Sequence, residues 1–442
     1  LDVMDGIRDG VNTSFDILPA QLIKTGSGIL TVFGDNSVNG WSGGTTIQEG
    51  TLKAGSSTAF NSSSASFTLA NTAGATLDLN GNSFTFSDLN GGGTNGGNVL
   101  LGTGTLTLAG VTSSRFDGQI SGEGSLVKNG DGVLWLTGTN SYSGTTTVNA
   151  GILKGNGDGL QGNIVNNASV VFDQTGSGTY GGDLSGTGTL EKTGEGTLTL
   201  TSANSFSGAT TLTAGTLAIG NSGALGTGSL TINGGTLKGN GTPRTIQVGG
   251  DYSQNGGILK LTLYGSGAGQ QDQLNVLGNA TLGGLLNMVV DPNFLPVGTS
   301  TYDVVTDNSL TGLFDFNPTG ASLAFQLDYS PTSAVLTAIK TPYSNFAQTP
   351  HQQIVADYMD SLYSSATGDL GLVMGELNAL PAADLANAIK SVSPQTYQTI
   401  ATMDSTLMSG FSQRIHGQLA RSRLGKGGVQ TSGFDQSQSR SR

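Results

Sequence analysis

Leu134-Trp-Leu-Thr-Gly-Thr-Asn-Ser-Tyr-Ser-Gly-Thr-Thr-Thr-Val-Asn-Ala-Gly-Ile-Leu153 reads as a short strand, a turn carrying Asn and Ser-Gly, a Thr-rich strand and a Gly-led strand. The phrase returns as Leu198-Thr-Leu-Thr-Ser-Ala-Asn-Ser-Phe-Ser-Gly-Ala-Thr-Thr-Leu-Thr-Ala-Gly-Thr-Leu217. A third version runs from Lys24-Thr-Gly-Ser-Gly-Ile-Leu-Thr-Val to Gly50-Thr-Leu-Lys53, and lysines lead the other two copies at Lys128 and Lys192. Self-similarity on this scale marks a stacked repeat architecture, in which no unit buries its apolar face alone.

Outward from these copies the pattern persists. Gly-X-Gly-X-Leu recurs at Gly102 to Leu106, Gly122 to Leu126, Gly186 to Leu190 and Gly226 to Leu230, each a tight bend before an inward Leu. The chain has 442 residues and 72 Gly, without the Gly-X-Y period or the Pro content of collagen. Disorder is excluded by strings such as Gly196-Thr-Leu-Thr-Leu-Thr201, whose alternation builds half-buried strands. Helix signals are lacking from Asp16 to Lys340. A right-handed parallel β-helix satisfies this pattern, because inward positions form one core while each strand bonds to the coils above and below. At about 20–25 residues per coil and a strand spacing of about 4.8 Å, some 14 coils and a rod on the order of 65–70 Å are expected. Trp41, Tyr142 and Phe206 match one another before Ser-Gly and read as aromatics covering a coil corner rather than as a ligand platform.

Five regions are expected: a lead-in or cap at 1–19, the repeat-bearing β-helix at 20–248, a tighter C-terminal β-helix cap at 249–340, an α-helical segment at 341–424 and a flexible polar tail at 425–442. Ile354, Tyr358 and Leu362, then Leu370, Val373, Met374 and Leu377, have helical spacing. Leu380-Pro381 and Ser393-Pro394 mark helix starts. The start at Leu1, with neither a basic nor an apolar leader, reads as a chain already processed or cut from a longer one.

Net charge is −12, and only 11% of residues are charged. Nucleic acid is therefore a poor partner, and the surface is mostly neutral Thr, Ser, Asn and Gly. Cysteine is absent, which removes disulfides, thiolate metal sites and thiol nucleophiles and suits export through a bacterial envelope.

The repeat at Leu134 to Leu153, echoed at Leu198 to Leu217, resembles the passenger-associated transport repeat of bacterial autotransporters. The stretch from Asp272 through Pro292 to Leu313 is similar to the C-terminal passenger region of that family. The resemblance implies a β-helical passenger displayed or released outside the cell after crossing an outer-membrane barrel. Leu380 to Arg421, with Ser391-Val-Ser-Pro-Gln-Thr-Tyr397 and Phe411-Ser-Gln-Arg-Ile415, is similar to the part that precedes or threads the barrel. No lipid-facing strands of 9–11 residues follow, so the translocator barrel is expected outside this chain.

No catalytic, cofactor-binding or metal residue is assigned. A Ser-His-Asp hydrolase needs an imidazole, and His351 and His416 both lie in the helical part. Carbohydrate cleavage needs only two carboxylates, for which Asp117, Glu123, Asp131, Asp158, Asp173 and Asp183 are the candidates; solvated turn formers explain them better. Gly155-Asn-Gly-Asp-Gly159 and Asn129-Gly-Asp-Gly132 are single calcium-type turns where a cage needs several, and plain turn chemistry accounts for them.

The expected function is a non-enzymatic surface adhesin or scaffold that engages a host or neighbouring cell surface or its glycans. A self-assembling fibre subunit joined through the helical segment is the alternative, and a polysaccharide-degrading enzyme ranks third.

Overall fold

Alternation does what it promises. Strands such as Thr45–Ile47, Leu106–Leu108 and Thr146–Val148 bury their first and third side chains and leave the middle one partly exposed. A computed structural model describes residues 2–3, 10–11, 17–18, 21–34, 43–60, 66–316, 320–392 and 414, the first three pairs by backbone alone. The chain is mainly β, a parallel β-solenoid followed by three helices.

A fourteen-stranded parallel sheet runs the length of the solenoid from Leu22–Lys24 to Leu310–Gly312. At about 4.8 Å per step it is about 60 Å long. Along the chain, most strands of this long sheet lead to a second face, seven-stranded near the N-terminus and six-stranded toward the C-terminus. A third face closes most turns, with six strands and then five. Turn length is uneven. Leu153 pairs with Val170, 17 residues on, whereas Ala280 pairs with Leu310, 30 residues on. The lengthening comes in the expected cap region, where strands reach six residues at Ile258–Leu263 and eight at Thr299–Thr306. A long antiparallel hairpin, Leu323–Ser330 with Ser333–Lys340, ends the solenoid.

One apolar cluster continues from Val32 to Ala338 through every turn. Its spine holds aromatics as well as the expected Leu and Val: Phe67 stacks on Phe86 with centroids 4.0 Å apart, and Phe60 on Phe84 at 5.1 Å. Each such pair adds about 0.5–1.5 kcal/mol beyond area burial.

Buried phenols give this core a pH signature. Burial pushes Tyr142 and Tyr363 up from 10.0 to about 12, and Tyr180, Tyr252 and Tyr343 higher still. A folded value above the unfolded one means stability that is full below pH 10 and lost as pH rises from 10 through about 12. Tyrosinate absorbance should therefore rise together with loss of the β circular dichroism signal. Phenols that titrate near their ordinary value while the signal persists would refute the burial.

The helices form a second core. Thr349 caps α1 (Pro350–Tyr363) by accepting from the Gln352 N–H, with Pro at the first helical position. α2 is Gly368–Asn378, and α3, Ala382–Val392, starts just after Pro381. Val373, Met374 and Leu377 are buried in keeping with their spacing. The α1 stripe differs: Ile354 is 55% and Tyr358 36% exposed, while Val355, Ala356, Met359 and Tyr363 are buried. These buried residues also have helical spacing, and they win because α1 packs against the Tyr343–Phe346 turn and α3. The helix expected at Ser393-Pro394, the polar tail and His416 lie outside the described residues.

The two cores meet at Tyr343, whose hydroxyl is 2.9 Å from both Met374 O and Asn378 Oδ1. Lys340 Nζ lies 3.9 Å from the centre of the Tyr343 ring and donates to Ser322 Oγ and Thr341 O. Burial pulls this ammonium down to about 8. Ala321 N donates to Leu380 O, tying the solenoid end to the helical segment.

Candidate functional site

The repeats owe their likeness to two polar side chains that clamp one turn to the next. Lys24 and Lys128 end their strands and Lys192 stands one residue before the end of its own; all three point inward and are 6%, 3% and 1% exposed. Each ammonium fills a corner. Lys24 Nζ donates to Thr25 O, Gly26 O and, one turn on, Glu49 O. Lys192 Nζ repeats this with Thr193 O at 2.6 Å, Gly194 O at 2.7 Å and Ala214 O at 3.2 Å. Lys128 reaches Gly130 O and Ala150 O. Burial lowers Lys128 and Lys192, opposed for Lys128 by Asp131 and Asp88 and for Lys192 by Asp173 and Glu195.

The second clamp is the Asn before Ser-aromatic-Ser-Gly. Asn140 accepts from Ile120 N in the turn behind and donates to Gly159 O in the turn ahead. Asn204 does the same between Leu184 N and Ala224 O. A short amide thus ties three successive turns through buried backbone groups, which would be costly unpaired. The sequence displays both residues at matching places. Turn chemistry is the first reading of such an Asn, and only the stacking reveals the clamp.

The motif encodes a corner, not a face. In the copies led by Lys24 and Lys192 the lysine strand belongs to the long sheet, whereas the strand of Lys128, Leu126–Lys128, belongs to the third face and the next strand, Val133–Leu136, to the long sheet. The middle copy is therefore rotated by one face. Tyr142 and Phe206, expected to cover corners, are 2% and 1% exposed and sit within the core, so neither offers a platform. Trp41 lies outside the described residues.

The accessible chemistry is on the outer side of the long sheet. One in-register column reads Ile23, Thr46, Thr68 and Asn90, then Arg115, Trp135 and Lys154, then Val171, Glu191, Thr211, Thr231, Ser253, Thr281 and Thr311. Trp135 is taken up by its neighbours: the Arg115 guanidinium is 4.3 Å and Lys154 Nζ 4.4 Å from the ring centre. From Thr211 to Thr311 the column is uncharged and hydroxyl-bearing.

The carboxylate candidates are spread along the solenoid. Asp117 pairs with Arg115 at 2.7 Å and accepts from Thr137 Oγ1. Asp173 pairs with Lys154 at 2.9 Å. Three strand steps separate these two acids, about 14 Å, too far for the roughly 5–9.5 Å of paired glycosidase carboxylates. Glu123, Asp131, Asp158 and Asp183 are exposed. Asn156 Oδ1 accepts from Asp158 N and Gly159 N, an ordinary Asx turn. Among the described residues no three His, Asp or Glu gather at metal-holding distance. His351 is exposed in the first turn of α1.

Three segments, 22–54, 126–154 and 190–219, match the passenger-associated-transport-repeat family. The chain is 48% identical over 136 residues to the adhesin BmaC autotransporter of Brucella suis biovar 1 (strain 1330), a match covering 30% of this chain and 4% of that protein. It is 27% identical over 240 residues to an extracellular serine protease of Serratia marcescens, covering 48% of this chain and 23% of that one. The chain thus spans under a quarter of either relative. The chain carries passenger-associated transport repeats, and these together with the adhesin match support an autotransporter passenger exported across the outer membrane to the cell surface or beyond.

Proposed function

We propose that this passenger is a non-enzymatic adhesin, and that the long-sheet column from Thr211 to Thr311 is its contact surface. The carrying observation is register: hydroxyls at about 4.8 Å intervals offer a glycan-coated surface many equivalent weak contacts, and avidity multiplies them. The adhesin relative supports this reading. The protease relative supplies a rival, but the described residues hold a single imidazole, His351, exposed on α1.

Beads coated with the chain should be retained on cultured cells more than albumin-coated beads. Thr231→Arg with Thr281→Arg should lower retention several-fold, since surface changes of this kind alter stability by only about 0.5 kcal/mol. Retention that the double variant leaves intact would move the contact elsewhere. Casein cleavage by the pure chain would favour the protease reading.

A further inference from the structure

A polar recess lies away from the long-sheet column, where the 264–272 loop passes over the third face. Its volume is ≈ 200 Å³, and Arg244, Thr245, Gln271, Gln273 and Asp303 line it. The floor is fixed by strand pairing: Thr245 is in register with Gln273, and Asp272 accepts from Arg244 N and Thr262 N through its two oxygens. The structural carboxylate is thereby committed to backbone, and its remaining hold on the Arg244 side chain is electrostatic only. That guanidinium makes one long contact, 3.4 Å to Thr242 Oγ1, and takes no part in the three ion pairs among the described residues.

Two further atoms show the same surplus. Gln271 is 8% exposed; its Nε2 donates to Asp303 O, while its Oε1 is buried with no partner among the described residues. Arg244 Nε is buried and likewise unpartnered. A buried unpaired polar atom costs about 1–3 kcal/mol, so two of them on residues lining one recess mark a place not tuned for solenoid stability alone.

We infer that this recess binds a single carboxylate-bearing sugar, a hexuronate. The guanidinium supplies a planar fork for the carboxylate. The exposed Asp303 carboxylate can accept from ring hydroxyls, and Gln271, Gln273 and Thr245 complete a polar wall. The volume admits one sugar ring and is below that of drug-sized pockets. A neutral hexose satisfies the acceptors and leaves the cation unmatched; a small inorganic anion does the reverse. The site is independent of the long-sheet contact proposed above.

Saturation-transfer NMR of the whole chain with sodium D-glucuronate, and with D-glucose as the neutral control, tests this. Saturable transfer to glucuronate is expected, with glucose at least tenfold weaker. Arg244→Gln should weaken glucuronate at least tenfold with little change in melting temperature, because the side chain's one hydrogen bond is the long contact to Thr242 Oγ1; Gln273→Ala, outside the Asp272 clamp, should weaken it severalfold. Absence of saturable transfer, equal binding of glucose, or full binding by both variants would each overturn the assignment.

Discussion

Gly215→Ala should cost about 3–5 kcal/mol, while the same change at Gly241 costs about 1–2 kcal/mol. Both glycines have positive φ, +68° and +82°. They differ in what a methyl group meets. At Gly241 nothing lies within 4 Å, so only the left-handed conformation is penalised. At Gly215 the new carbon would sit 2.2 Å from Gly194 O and 2.5 Å from Gly196 O, backbone atoms that have nowhere to go. Gly151 holds the same relation to Gly130 O and Gly132 O, so the clash belongs to the repeat. Each turn touches only its neighbours, so damage should be local. Hydrogen exchange should accelerate in Thr197–Leu200 and Thr216–Ile219 and leave α1 unchanged. Equal costs at the two glycines would show that the corner yields, contrary to the stacking described.

Lys192→Met should cost about 2–4 kcal/mol, because it keeps the stem and strips the charged donor from three carbonyls in one corner. Lys238→Met, on a half-exposed side chain, should stay within about 0.5 kcal/mol. Urea midpoints would measure both. The pH dependence has a definite sign. Burial holds Lys192 below 10.5 in the folded state, so over that interval the unfolded chain binds more protons and native stability rises with pH toward 10.5. Lys192→Met should lose its share of that rise. If methionine is tolerated as well as lysine, the ammonium is not what closes the corner.

The architecture was legible because alternation and self-similarity are local signals, and each names an inward position without reference to the rest of the chain. Leu134, Leu153, Leu198 and Leu217 could be placed in the core from the repeat alone. The clamps were half legible: Lys128, Lys192, Asn140 and Asn204 stood at matching places, but a lysine reads as surface until the carbonyls of the following turn close over it. Face assignment was out of reach, since the rotation of the middle copy depends on how many residues the preceding turns consume. On α1, Ile354 and Val355 both belong to helical stripes, and only the position of Tyr343 chooses between them. The recess at Arg244 left no motif, because its walls come from three strands and a loop separated by up to 60 positions (Pro243 to Asp303).

The corner ammonium has a bearing on how such a chain assembles. In coiled proteins whose turns are pinned by soluble divalent ions, folding waits on the supply of that ion. Here the cation is tethered by its own four-carbon stem, so its local concentration is set by geometry and no chelator can strip it away. The chain thus carries in its covalent structure the counter-charge that these three bends require.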